Sequence, residues 1–246
     1  MTTNVIDLKA QARRTIEVLK EGKIALVPND TGYAFTGSSL EPIQKIFNAK
    51  MRGTHKRNAM ATTLETQREL HMLDKRAQQM IDSLVLDHDL PIAVVAPYRA
   101  DHPLVRKLGP ELLKASSARG CMGVLLNGGT FHAELTRLGQ EETLPLLGSS
   151  ANYTGEGSPY RVEDIPEALR NLADYTVDHG LCRAHLYKRA GTVINFGTME
   201  VIRIGAYYEL ISDVLKRFFD VELPTDPGYA TLPSGHLNEF ALRGVE

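Results

Sequence analysis

The stretch "KIALVPNDTGYAFTG", residues 23–37, decides how this chain is read. Its first half is a continuous apolar run, which suits a strand buried on both faces. Pro28, Asn29 and Asp30 then break the run, so the reading is a strand, a polar turn, and a helix that ends in "IFNAKMRGTHKR". A buried strand followed so soon by a crowd of basic side chains calls for an explanation.

Outward from that stretch, element types alternate. "AQARRTIEVLKEG" puts Ile16 and Leu19 on one helical face and stops at Gly22, a C-cap residue. "EPIQKIFNAK" sets Ile43, Ile46 and Phe47 at helical spacing. "PIAVVAP", "CMGVLLN" and "LPLLGSS" read as interior strands, with helices at "PLVRKLGPELL" and "VEDIPEALRNL". "AGTVINF" and "MEVIRIG" flank a Gly-Thr turn and predict a hairpin, and "YYELISDVLKRFF" predicts an amphipathic helix. The order favours an α/β fold whose twisted sheet mixes parallel and antiparallel pairs. A domain over 1–223 is expected, with the Pro- and Gly-rich residues 224–246 as a tail or packed loop.

Composition narrows the function. The chain has 246 residues and 43% hydrophobic content, enough for a sizeable core. With 28 basic and 30 acidic residues its formal charge is -2, so any basic site must be local rather than global. Cys121 and Cys182 form no CxxC pair or zinc spacing, and "MTTNVIDLKAQARRTIEVLK" has no apolar signal core. No stretch is long enough to span a bilayer, so a cytoplasmic protein without membrane contact is expected.

Several chemistries fail on their motifs. Neither G-x-G-x-x-G nor G-x-x-x-x-G-K-[ST] is present, and the eight histidines never form H-E-x-x-H, so no metal site is expected. His55, His88, His102 and His132 lie in polar surroundings and read as surface residues. "GSSAN" offers Asn152 where a nucleophile elbow needs glycine. The cysteines read as packing residues.

Two constellations remain. One is Lys50, Arg52, Lys56 and Arg57, after a short helix. The other is "LGSSANYTGEGSPYRVED", where a strand empties into hydroxyls, an amide and glycines before a helix expected from Val162. A solvated basic face and a connecting loop are the plainer readings of each. Together, small residues let backbone N–H groups approach an anion, and Lys with Arg supply charge and a bidentate fork. That is a phosphate site without a Walker loop.

These residues resemble the YrdC-like family, which includes the threonylcarbamoyl-AMP synthases and YciO-like proteins, from about Thr15 to Ile211. The family's P-T-[DE]-T-x-Y turn is matched by "PNDTGY", its K-x-R by "KMR", its S-A-N loop and later S-P by "SSAN" and "GEGSP", and its last strand and R-x-G by "GTVIN" and "RIG". The resemblance implies a twisted mixed sheet with flanking helices around a large basic concave cavity. It also implies an ATP-dependent nucleotidyltransferase that makes L-threonylcarbamoyl-AMP for tRNA modification, from ATP with magnesium, bicarbonate and threonine. By that analogy Lys50 and Arg52 hold phosphates as catalytic residues, and Ser150, Asn152, Ser158 and Arg203 complete the nucleotide contacts. Asn29, Thr31, Tyr33, Leu125, Ser149 and Gly191 fall in the acceptor pocket.

The departures gather on the acceptor side. Asn29 replaces the first threonine of the family's turn, Leu125 the arginine of G-V-R-V-P, and Gly191 a serine. Gly53 stands where proline follows K-x-R, and W-P-G-P is absent, "DLPIAVV" being nearest. Losing the arginine removes a charge-assisted pair of a few kcal/mol, for which Arg57 and Arg119 are candidate replacements. Two other readings therefore stand beside threonylcarbamoyl-AMP synthesis. One is a paralogue that carbamoylates another amino acid or amine, with bicarbonate or carbamoyl phosphate; the other is a non-catalytic RNA-binding module.

Overall fold

The computed structural model describes residues 6–51, 57–154 and 156–237. In chain order its helices are α1 (Leu8–Lys20), α2 (Leu40–Ala49), α3 (Leu64–Leu70), α4 (Lys75–Asp82), α5 (Pro103–Arg106), α6 (Gly109–Ser116), α7 (Thr130–Glu141), α8 (Glu167–Arg170) and α9 (Tyr208–Phe219). The strands are β1 (Ala25–Asn29), β2 (Gly32–Gly37), β3 (Ala59–Ala61), β4 (Ile92–Pro97), β5 (Ser117–Ala118), β6 (Cys121–Leu126), β7 (Leu146–Ser150), β8 (Tyr175–Thr176), β9 (Val193–Asn195) and β10 (Glu200–Arg203). All described strands join one mixed sheet in the order β10-β9-β4-β6-β3-β7-β2-β1-β8, with β5 hanging on β6.

The opening stretch is a hairpin rather than a strand feeding a helix. "GYAFTG" pairs antiparallel with β1, Val27 opposite Ala34 and Asn29 opposite Gly32. Tyr33 and Phe35 are buried on one side, at 1% and 0% exposure, while Ala34 on the other stays half-open. The period is two, but the glycines and threonine disguise it as turn chemistry. The helix that carries the basic cluster starts only after this second strand, at Leu40.

Two apolar layers flank the sheet. The larger joins Phe35, Met60, Val94, Val124 and Ile194 to α2, α4 and α9. The smaller packs Ala12, Ile16 and Leu19 of α1 with Phe131 and Leu135 of α7 over Ala25, Val27 and Leu146. Asp7 starts α1 by accepting the Ala10 amide at 2.9 Å. Gly22, at φ 73°, ends it, and the Lys23 amide reaches back to the Val18 carbonyl.

The helix expected from Val162 does not form. Pro166 disfavours helical backbone at Ile165, so turns run to that point and only the single turn of α8 follows. "PLVRKLGPELL" is two helices, divided at Gly109, whose φ is 66°. Residues 224–237 pack back on the fold. The Ile204 amide donates to Gly235, Tyr208 Oη to the Pro224 carbonyl, and Leu232 is 5% exposed.

The sheet curls strongly. Five strand spacings separate β9 from β2, roughly 24 Å on a flat sheet. Yet a Cβ on Gly191, just before β9, would lie 3.4 Å from Thr31 Oγ1 in the β1–β2 turn. Likewise a Cβ on Gly128, just past β6, would lie 3.2 Å from Asn29 Cβ. The side bearing Asn29 is therefore the inside of the curl. In β6 the two sides differ sharply: Met122, Val124 and Leu126 are sealed in the large core, whereas Cys121, Gly123 and Leu125 are half-open on the inner side. The result is a cup.

Candidate functional site

Two distant segments meet at the end of β7. Lys50, at the C-terminus of α2, is 1% exposed. Its Nζ donates to Ser149 Oγ at 2.5 Å and to the Ser150 carbonyl, where β7 runs out. Its own carbonyl accepts from the Thr154 amide at 3.3 Å. A buried ammonium is expensive unless oxygens surround it, so this cation fixes the end of α2 to the hydroxyl-rich loop. Ser150 itself faces the inside of the cup, opposite Ala34.

The loop beyond Ser150 is shaped by Asn152. Its Nδ2 donates to the carbonyls of Tyr153 at 2.8 Å and Glu156 at 2.7 Å, pinning a tight turn. Its Oδ1 is buried without a hydrogen-bond partner, an acceptor that asks for a donor. Asn152 lines a cavity of about 310 Å³ together with Ser158, Tyr160, Asp164, Lys188 and Tyr229. Thus Lys188, just past a 3-10 turn at His185–Tyr187, and Tyr229 from the C-terminal segment reach a space that sequence reading gave to the loop alone. Nothing in their local sequence announces it; only the packing of residues 224–237 does. Ser158 sits against Gly32, whose added Cβ would be 3.1 Å from Ser158 Cβ and 3.0 Å from the Pro159 carbonyl. With φ at 132°, Gly32 is therefore fixed on two grounds.

At the other end of the cup, Asn29 Oδ1 accepts from the Thr31 amide at 2.9 Å and from Thr31 Oγ1 at 2.7 Å. Gly191 abuts Thr31, and its carbonyl accepts from Arg203 Nε at 2.8 Å. Arg203 is paired with Val193 across the β9–β10 hairpin. Leu125 stands on the inner face between Ala61 and Ala93.

Tyr33 does not join this group. It points to the opposite side of the sheet, where its hydroxyl lies 3.0 Å from Asp178 Oδ1 and 2.9 Å from the Gly180 carbonyl and accepts the His179 amide. Ser149 likewise points away from the cup's inner face, toward Lys50. Neither proposed replacement for an arginine at 125 is close to Leu125. Arg57 Nε binds the Ser117 carbonyl, and Arg119 occupies the exposed β5–β6 turn at the far end of β6. Arg52, His55 and Lys56 lie outside the described residues.

The remaining titratable groups narrow the chemistry. Burial pushes the Cys182 thiol up to about 12 and raises Cys121, so both stay protonated and are poor nucleophiles. His132 is not a surface residue: it is 5% exposed, its Nε2 has no partner, and burial lowers it to about 4. Among the described residues no three His, Cys, Asp or Glu side chains are grouped to hold a metal, and no helix is long and apolar enough to cross a membrane.

A curled mixed sheet with flanking helices, whose strand ends gather lysine, hydroxyls and an unsatisfied amide, defines a mixed α/β protein. Comparison with known proteins agrees. The family model Sua5_yciO_yrdC, described as "Telomere recombination", matches residues 17–205, and the chain belongs to this family. A protein of Methanocaldococcus jannaschii, provisionally named a threonylcarbamoyl-AMP synthase, is 24% identical over 202 residues, covering 79% of this chain and 86% of that protein. A Streptococcus mutans protein described as hypothetical superimposes with a TM-score of 0.70 at 20% identity, over 85% of this chain and 92% of its own. Sua5 of P. abyssi, solved in complex with L-threonine, gives a TM-score of 0.62 at 19% identity, over 88% of this chain and 59% of the Sua5 chain. These structural likenesses carry the fold.

Proposed function

We propose that the chain is an ATP-dependent nucleotidyltransferase that forms a carbamoyl-adenylate, with L-threonylcarbamoyl-AMP as the reference product. The observation that carries this reading is the Lys50 ammonium seated on Ser149 and the Ser150 carbonyl, two residues along the chain from Asn152, whose Oδ1 has no partner. Positive charge and directed polar groups thus converge from two segments on the end of one strand. A phosphoryl site needs that arrangement when no glycine-rich loop supplies it.

The chemistry asks little of a protein nucleophile. An amine adds to bicarbonate with loss of water to give a carbamate. A carbamate oxygen then bonds to the α-phosphorus of ATP while the bond to pyrophosphate breaks, and pyrophosphate departs with the electron pair. The protein must align the two anions and offset charge on the phosphorus and leaving group. Lys50 and Arg203 supply charge, Ser150 and Ser158 supply hydroxyls, and Asn152 Oδ1 accepts a hydrogen bond from the nucleotide. Arg52 joins them in this reading. Magnesium would enter with the triphosphate, whose charge it neutralises.

Pyrophosphate release tests this directly. It should require ATP, bicarbonate and an amine together, and disappear in Lys50→Ala. Release that ignores bicarbonate and amine, or salt-sensitive RNA binding with no turnover at all, would refute the proposal.

A further inference from the structure

The family model ends at residue 205, yet the chain goes on to wall the cavity at Asn152. Past α9 the segment 224–237 returns to the body of the protein and is tied down at both ends. Tyr208 Oη donates to the Pro224 carbonyl at 2.6 Å, and the Ile204 amide to the Gly235 carbonyl at 2.8 Å. Between those ties the buried Arg189 spends Nη1 on Asp226 at 2.7 Å and Nη2 on the Leu232 carbonyl at 2.8 Å. A buried guanidinium held in this way fixes the loop between its two partners. Midway along that loop stands Tyr229, 44% exposed, with Lys188 Nζ and Arg189 Cζ each 5.9 Å from its ring centroid. Cations at that distance favour one placement of the ring.

The cavity, about 310 Å³, has the size of a small-ligand site but not the charge of a phosphate site. Lys188 lines it together with two acidic residues, Glu156 and Asp164. A triphosphate would meet two anions there for one cation. The neutral groups point the same way. Asn152 spends its Nδ2 on the carbonyls of Tyr153 and Glu156, which leaves Oδ1, an acceptor, for a ligand. Tyr160 commits its hydroxyl hydrogen to the Arg189 carbonyl at 2.9 Å. An acceptor matches a hydroxyl or amino hydrogen and gains nothing from a phosphate oxygen. Aromatic walls with acceptors among them complement a nucleoside, whose ring has flat faces and whose ribose and amino groups donate. In the reading above, Lys50 and Arg203 carry the charge for the phosphates.

We infer that Tyr229 is a further nucleotide-binding residue, contacting the base and ribose, and that the segment 224–237 is thereby part of the site. The inference rests on the nucleotidyltransferase reading and assigns this cavity to the nucleoside end of the nucleotide.

The experiment compares ATP with inorganic tripolyphosphate, both with magnesium; the second keeps three phosphates and lacks the nucleoside. Calorimetry measures each on the full chain, unaltered and as Tyr229→Ala and Tyr229→Phe. Tyr229→Ala should bind ATP about tenfold more weakly, the size expected for one base–aromatic contact, and tripolyphosphate as before. Tyr229→Phe, which keeps the ring, should match the unaltered protein on both. Limited proteolysis needs no variant: cleavage of the unaltered protein within 224–237 should slow with ATP and not with tripolyphosphate. The inference is overturned, and the nucleotide reading left standing, if Tyr229→Ala binds ATP as tightly as the unaltered protein or loses both ligands alike. Tyr229→Phe as weak as Tyr229→Ala, or cleavage that ATP does not slow, has the same consequence. An unaltered protein that binds neither ligand overturns both.

Discussion

Lys50→Met separates what this side chain does for the fold from what it does for a ligand. The lysine is fully enclosed and donates two hydrogen bonds, to Ser149 Oγ and the Ser150 carbonyl. Bonds to a charged group are worth about 1.5–3 kcal/mol each, so their loss costs roughly 3–6 kcal/mol. Against this, the desolvation of a buried ammonium, itself several kcal/mol, is relieved. The two nearly cancel. Methionine fills most of the same volume, and the expected net change in the unliganded protein is within about 2 kcal/mol. Ligand linkage behaves differently. ATP with magnesium at a hundredfold excess over Kd stabilises the native state by about 2.7 kcal/mol. For a domain of this size each kcal/mol moves Tm by about 2–4 °C, so the unaltered protein should gain roughly 5–11 °C. Thermal unfolding with and without ATP reads both quantities. Lys50→Met should unfold close to the unaltered protein alone and lose the nucleotide-induced rise. A variant that keeps the full rise would show that Lys50 is a structural clamp and that the phosphate contacts lie elsewhere.

Other perturbations follow from the same geometry. His71 and His132 are both lowered by burial to about 4 from 6.5. The unfolded chain therefore binds more protons than the native one between those values, and stability falls as pH drops through that window. At pH 5 the loss should be roughly 2 kcal/mol per histidine relative to pH 8. Urea midpoints at the two pH values should show it, and His71→Gln should remove about half. Gly205→Ala would put a Cβ 2.2 Å from the Ala190 carbonyl at the crossing where the Ala206 amide bonds Ala190. A cost of about 2–3 kcal/mol is expected from such overpacking, and an unchanged denaturation midpoint would contradict the crossing. Arg189, 5% exposed, pairs with Asp226 at 2.7 Å and with the Leu232 carbonyl at 2.8 Å. Asp226→Asn keeps an acceptor but removes the charge, so a modest loss of about 1–2 kcal/mol and faster proteolysis within 224–237 should result.

Why some elements were legible and others not follows from burial. The strands β1, β4, β6 and β7 have large-core positions sealed to near zero exposure, and their apolar runs announce them. β2 is just as central, but its inner side carries only the small residues Gly32, Ala34 and Thr36, and Ala34 is half-open. Small residues beside an open space look like a turn when read along the chain. The short β3, β5 and β8 have two or three residues each, too few to display a period. The expected helix at Val162 failed for a local reason, the proline three residues after Glu163. His132 was misread because its neighbours in sequence are polar while its neighbours in space are the sheet and the β1–β2 turn.

The site shows the same division. Residue types singled out Lys50 and the serine-rich loop, and the structure brings these two distant segments together at the end of β7. What the types could not reveal was direction. Strand alternation turns Ser150 into the cup and Ser149 toward Lys50, and it sends Tyr33 out to Asp178 while Thr31 stays with Gly191. Neighbours in a motif are thereby divided between two faces, and only registry against β7 and β1 sorts them. The same registry gives Leu125 its meaning. One residue earlier or later on β6 it would be sealed in the core like Val124 and Leu126; at its own position it is the largest side chain that β6 lends to the inner face. A change of side chain at 125 would therefore be met by the half-open inner face, whereas the same change at 124 or 126 would be met by the sealed core.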